Sequence, residues 1–285
     1  MNSPRKLHRG FSAIEVLVVI VVITMCLALM TPKILQTAEA ARRTQCRNNL
    51  AQIALALNNY EEVHKVLPPG TVNPTGPIEN MPDGHHISWT VQLLPYLEQS
   101  SLYESIDPTV GVYGSTLTTT QLPVYSCSTT TGGDWGTAAK KPVVGGYFGA
   151  IPSAYAACYG DSETAIDNSN NGVFFLNSSI ARHQIRDGCS NTIMIGEKNP
   201  SPGDLGWMSG TSSTLRNLND SLNKPDDQVM EVGSVRNGGF GSGHPDAAIF
   251  AFGDGSVRIL RNSIDQEVLR KLGNRHDGQL INKEF

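Results

Sequence analysis

The sequence predicts an α+β protein. One long N-terminal helix, transmembrane in its first half and amphipathic in its second, packs on a mainly antiparallel, β-rich and loop-rich globular head. Three observations predict it. An apolar run from Ala13 to Met30 gives way to helical periodicity that stops at Pro68-Pro69-Gly70. Beyond that point, short runs rich in Val, Ile and Phe alternate with turn signals such as Asn171-Gly172 and Asp254-Gly255. Finally, 28 Gly and 16 Pro against 17% charged residues argue for strands and loops rather than a helical bundle.

The N-terminal element comes first. Arg5, Lys6 and Arg9, with no acid among them, precede Gly10, Phe11 and the apolar run, which keeps the N-terminus cytoplasmic. From Phe11 to Met30 a helix extends roughly 30 Å, the thickness of a bilayer's hydrocarbon core. Glu15 lies inside that span, where a carboxylate costs about 2.5 kcal/mol or more unless it finds a partner. A cut after Gly10 would supply one, because the new α-amino group of Phe11 could neutralise Glu15 of a neighbouring subunit. A secretory signal cut after Ala38-Glu39-Ala40 fits poorly, since such signals have a shorter apolar core, and an uncut anchor leaves Glu15 unexplained.

Pro32 lacks a backbone donor, so a kink or break is expected near Met30. The pattern then resumes. Leu50, Ile53, Leu57 and Tyr60 recur at helical steps while Arg42, Arg43, Arg47 and Gln52 occupy other faces. Helix is therefore expected from about Ser12 to His64, followed by a short helix near Thr90 to Ser105. Strand candidates are Val143–Tyr147, Val173–Leu176, Thr192–Ile195, Ala248–Phe252 and Val257–Leu260, with a long exposed loop between Asn199 and Gly243. The divisions read from this pass are residues 1–10, 11–31, 32–66 and 67–285.

Composition also bounds function. The 22 basic and 26 acidic residues are spread along the chain, for a net charge of −4, which argues against a nucleic-acid partner. Cys26 belongs to the apolar run. Cys46, Cys127, Cys158 and Cys189 allow three connectivities, with one or two disulfides in an oxidising compartment set against buried free thiols. Asp167 to Gly172 looks like the start of a calcium loop, but Ser178 stands where a bidentate Glu is required, so a turn is expected. No nucleophile elbow, Walker loop or zinc-protease helix is present, and Ser242, His244 and Asp246 are too close in sequence to be argued into a triad, so no enzyme is expected. Trp89, Trp135 and Trp207 read as core aromatics, or else as contacts of a ligand-binding head.

The segment Gly10-Phe11-Ser12-Ala13-Ile14-Glu15-Val16-Leu17 strongly resembles the leader and helix start of type IV pilins. That resemblance implies cleavage between Gly10 and Phe11 by prepilin peptidase, N-methylation of Phe11, and a role for Glu15 in assembly. It also implies pilin-like subunits, an inner-membrane assembly platform and membrane lipid as partners, and a single-pass inner-membrane protein with an extracytoplasmic head. His244, nine intervening residues and Asp254-Gly255 resemble the prepilin-type processing-associated H-x9-DG domain of uncharacterised pilin-like proteins. The likeness continues through Arg42 to Leu50, Leu67-Pro68-Pro69-Gly70, Ser88-Trp89 and Asp187 to Ile193. It implies a pilin- or pseudopilin-like structural subunit, with a membrane-anchored binding protein as the alternative. If the intervening strand folds back, His244 and Asp254 meet as a structural pair or as part of a metal site, and the Asp-Gly turn signal favours structure. By analogy with major pseudopilins, calcium is the cofactor considered, at Asp254.

Overall fold

The computed structural model describes residues 13–107, 109–127, 129, 150–201, 203–224, 233 and 235–279. They fall into two units, Met1–Arg43 and Thr44–Phe285. Helix α1 (Ala13–His64) contributes to both. In the first unit its apolar side chains are open, from Val16 at 48% exposure to Ile14 at 72%. Among the described residues no helix is long and apolar enough to cross a membrane. Helix α1 does not break at Pro32, contrary to the sequence expectation. One missing N–H leaves the flanking turns bonded, and a helix can absorb that locally.

The second unit contains the last part of α1, from Thr44 to His64 and about six turns long. Cys46, Leu50, Ile53, Ala54 and Leu57 face inward and are buried, while Leu55 and Val63 on the other side are exposed. Strands β1 (Thr71–Val72) and β2 (Ile87–Ser88) form a small antiparallel pair. The expected helix near residues 90–105 is divided into α2 (Trp89–Gln92), a 3-10 turn over Leu94–Leu97 and α3 (Ser100–Glu104). Pro95 removes a donor there, and Glu98 turns left-handed at φ 60°.

The main sheet has five strands: β3 (Tyr155–Gly160), β4 (Ile193–Glu197), β5 (Leu215–Asn217), β6 (Ala247–Phe252) and β7 (Val257–Arg261). Their order is β5-β3-β4-β6-β7, and only the β3–β5 pair is parallel. The protein is thus α+β with a mainly antiparallel sheet. Strand side chains alternate between faces, and both faces here are covered. Along β6, Ile249 and Ala251 join the apolar cluster containing Leu50, Ile53 and Leu57 of α1, whereas Ala248, Phe250 and Phe252 join a second cluster. The second cluster is closed by Val268, Leu269 and Leu272 of a C-terminal helix, α4 (Gln266–Gly273), whose N-cap Asp265 accepts from the Glu267 N–H. A register shift between Ile193 and Ile195 interrupts the alternation in β4.

Two sequence expectations fail here for physical reasons. Val173–Leu176 is buried but is not a strand: it lies beside β3, with the Gly172 N–H donating to the Tyr159 carbonyl at 2.9 Å. A Cβ at Gly172 would come within 2.3 Å of the Tyr159 backbone, so this Asn-Gly serves a close approach rather than a hairpin. The supposed exposed loop from 199 to 243 contains β5 and the buried run Trp207–Leu218. Its hydroxyls replace a strand ladder: Thr214 Oγ1 donates to the Ser209 carbonyl at 2.7 Å, and the Leu205 N–H donates to Ser213 Oγ at 2.7 Å. The Val143–Tyr147 candidate lies outside the described residues.

Candidate functional site

Four side chains from four separate segments converge at the end of β6 nearest its start. Cys46 comes from α1, Cys127 from the segment after a 3-10 turn at Pro123–Tyr125, Glu197 from the last position of β4 and His244 from the approach to β6. All four are buried, and their ligand-type atoms lie within 4.8 Å of one another. Cys46 and Cys127 are joined as a disulfide with Cα atoms 5.4 Å apart. Around it, Glu197 Oε1 lies 3.4 Å from His244 Nε2 and 3.6 Å from Cys127 Sγ, and His244 Nε2 lies 3.9 Å from that sulfur.

Backbone and neighbouring groups hold each member in place. The Ile249 N–H donates to Glu197 Oε2 at 2.9 Å, which orients the carboxylate from β6 and leaves Oε1 facing the histidine. The His244 N–H donates to Ser242 Oγ at 3.2 Å, so Ser242 positions the chain before β6 and is no nucleophile aimed at a base. Thr129 Oγ1 is 2.9 Å from Cys127 Sγ, and the Tyr155 hydroxyl donates to the Cys46 carbonyl at 3.3 Å.

Asp254 and Gly255 are elsewhere. The six residues of β6 separate them from His244, and the strand runs straight through its pairing with β4 and β7 instead of folding back. The sequence expectation that His244 and Asp254 meet is therefore overturned. Asp254 closes its own turn: Oδ1 accepts from the Ser256 N–H at 2.9 Å and hydroxyl at 2.6 Å, and Oδ2 faces Arg258 at 3.4 Å. Gly255 follows at φ 83°, the left-handed position that such a turn requires. Arg182 ties this turn to α1, donating to the Gly253 carbonyl at 2.8 Å and bonding Glu61 and Asn58.

The remaining expected site residues are dispersed. Gly10 and Phe11 lie outside the described residues, and Glu15 is in the first turn of α1. Cys158 is a buried free thiol on β3, pushed up to about 12 by burial and so poorly nucleophilic, and Cys189 is a half-buried free thiol. Trp89 and Trp207 are fully buried, which removes them as ligand contacts; their N–H groups donate to the carbonyls of Thr214 and Thr120. Trp135 lies outside the described residues. Asp167–Gly172 is a turn closed by Asn170, whose Oδ1 accepts from the Asp167 N–H at 2.7 Å. His86 is buried against Tyr113, its Nδ1 2.8 Å from the hydroxyl, and burial lowers it to about 4. Sequence reasoning missed Glu197 and the buried Lys198–Asp204 pair beside it, because a lone Glu-Lys at a strand end carries no spacing signal.

A sheet joined to an N-terminal helix at both ends of one central strand, over a buried cysteine, histidine and glutamate cluster, defines an α+β class. The chain belongs to the family described as protein of unknown function (DUF1559), whose model matches residues 36–267. The match takes in Cys46, Cys127, Glu197, His244 and Asp254 and begins after Glu15. No curated protein and no solved structure shows significant similarity to the chain.

Proposed function

We propose that this chain is a pilin-like or pseudopilin-like structural subunit, cut by prepilin peptidase between Gly10 and Phe11 and assembled through α1 into a type IV pilus or secretion-type pseudopilus. The observation that carries this reading is the contrast along α1. From Cys46 onward one apolar face, Cys46, Leu50, Ile53 and Leu57, is buried, whereas Ile14 and Val16 to Ile23 are open around Glu15. An apolar stripe of that length needs lipid or neighbouring helices to cover it, and packing against copies of itself gives Glu15 a cationic partner in the amino group of Phe11. In this reading the protein is a single-pass inner-membrane protein with its second unit outside the cytoplasm. The H-x9-DG segment then joins the head to its helix. Calcium at Asp254 is not needed, because Ser256 and Arg258 already use that carboxylate.

N-terminal mass spectrometry of the native protein tests the processing step. The expected chain begins at methylated Phe11, and one beginning at Met1 or Ala41 would overturn the proposal. Glu15→Ala should be cleaved normally yet crosslink poorly between cysteines engineered along α1. Normal cleavage with no filaments and no crosslinks in the unsubstituted protein would favour a membrane-anchored binding protein instead.

A further inference from the structure

We infer that the Cys46, Cys127, Glu197 and His244 cluster is a redox-gated site for a zinc-class divalent cation, which it binds when the two cysteines are thiols and releases when they form the disulfide. The inference stands apart from filament assembly, since every residue it uses lies in the second unit.

The distances are those of coordination edges rather than of hydrogen bonds. A buried charged N–H···O contact settles at about 2.7–2.9 Å. Glu197 Oε1 and His244 Nε2 instead lie 3.4 Å apart with both side chains 1% exposed, close enough to share a partner and too far to be a good one for each other. Tetrahedral zinc, with bonds of about 2.3 Å to sulfur and 2.0–2.1 Å to nitrogen or oxygen, sets ligand atoms about 3.3 to 3.8 Å apart. The oxygen–nitrogen separation of 3.4 Å and the oxygen–sulfur separation of 3.6 Å match two edges of one face of such a tetrahedron, and the nitrogen–sulfur separation of 3.9 Å lies just beyond the third. Cys46 supplies the fourth ligand atom, within 4.8 Å of the other three. The sulfur–sulfur edge is short because a covalent bond now occupies it.

The donor set suits zinc in kind as well as in number. Two thiolates, an imidazole and a carboxylate favour a borderline-soft cation of four-coordinate habit over calcium or magnesium, which take oxygen. Outer hydrogen bonds fix the ligands as metal sites require: the Ile249 N–H holds the far oxygen of Glu197, and Thr129 lies against Cys127. Burial of all four closes the site to a water ligand, the mark of a structural rather than a catalytic centre.

The switch balances as a two-electron exchange. A dithiol reductant passes two electrons and two protons to the Cys46–Cys127 bond, giving two thiols and becoming a disulfide itself. Cation binding then displaces two protons as the thiols become thiolates. In reverse, a disulfide oxidant takes two electrons from the metal-bound thiolates, the sulfur–sulfur bond re-forms, the cation leaves, and the oxidant's two sulfurs depart as thiolates that take up two protons from water.

The test uses the full chain in detergent. One portion is left oxidised, and the other is reduced with a phosphine and freed of excess reductant without air. Each is titrated with cobalt(II) as a visible stand-in for zinc. The reduced chain is expected to take up one cobalt per chain with tetrahedral absorption and sulfur-to-metal charge transfer, to lose both bands to zinc, and to show neither when oxidised. His244→Ala and Glu197→Gln should each weaken uptake at least ten-fold. Absence of these bands in a reduced chain that keeps its native circular dichroism would overturn the proposal, as would equal uptake by a Cys46→Ser, Cys127→Ser chain. If reduction alone unfolds the chain, zinc must restore the native spectrum, and failure to do so overturns the proposal equally.

Discussion

The two ends of β6 carry the two halves of one sequence motif, yet they are built on opposite principles. At the His244 end, a disulfide, a histidine and a carboxylate are buried together and tie α1 to the sheet through Cys46. At the Asp254 end, an exposed turn closes on itself through Ser256 and reaches α1 through Arg182 and Asn58. From Cys46 to Asn58 the helix rises about 18 Å, and a six-residue strand spans about 20 Å. The nine residues between His244 and Asp254 therefore match a strand to the stretch of helix it lies against. What the motif measures is a length, and its two named residues never touch.

The difference predicts unequal energies. Breaking the buried end should have the largest effect. The Cys46–Cys127 bond closes a loop with a sequence separation of 81, worth about 4.5 kcal/mol of unfolded-chain entropy. Reduction in the presence of a chelator should therefore lower the urea midpoint by far more than any substitution at the turn. A shift no larger than that from a turn variant would erase the contrast. Next in size is Glu197→Ala, which leaves His244 and the Ile249 N–H facing an uncompensated void and should cost about 3 kcal/mol. Equilibrium denaturation of the disulfide-intact variant measures it.

The parts of this structure that the sequence reveals are those governed by local pattern. The stripe Leu50, Ile53, Leu57 places α1 against a core, and Ala248–Phe252, Asp254-Gly255 and Val257–Leu260 place the β6–β7 hairpin to within a residue. The cluster stays hidden because its members come from four distant segments with no ligand spacing between them, and Glu197 is one acid among many. Strand β5 is hidden for another reason. Its surroundings are Ser, Thr, Asn and Gly, which pass for a surface loop until their hydroxyls are seen to satisfy buried backbone groups. Strand β3, Tyr155–Gly160, lacks the β-branched residues that mark a strand, because alanines allow α1 and α4 to approach its two faces.

Histidines sharpen the comparison through pH. His86 is buried beside Tyr113; burial lowers its pKa from 6.5 to about 4, opposed by Asp83 and the Met81 backbone and assisted by His85. The unfolded chain then takes up this proton before the folded one does. Stability from this residue is complete above pH 6.5 and falls between pH 6.5 and about 4, by at most about 3 kcal/mol. His86→Gln, which keeps a hydrogen-bonding group toward Tyr113, should flatten that limb of the stability profile. Unchanged acid sensitivity in the variant would show that His86 does not carry the effect.

The smallest effects belong to the turn, and their size decides whether its two residues matter by conformation or by charge. Gly255 lies at φ 83°, and a Cβ added there would meet only Asn58 Nδ2, at an ordinary 3.4 Å. Space is thus available and backbone strain is the whole cost of Gly255→Ala, about 1 kcal/mol. Asp254 accepts from the Ser256 N–H and hydroxyl at a half-exposed position, so Asp254→Ala should cost about 0.5–1 kcal/mol. Asp254→Asn keeps an acceptor oxygen for the same donors and loses only the half-exposed pairing with Arg258, and it should therefore be close to neutral. Thermal denaturation of the three variants, side by side, separates these terms. A loss in Asp254→Asn as large as in Glu197→Ala would mean that the carboxylate charge at this end is as deeply committed as the one at the other, and that the motif is one site after all.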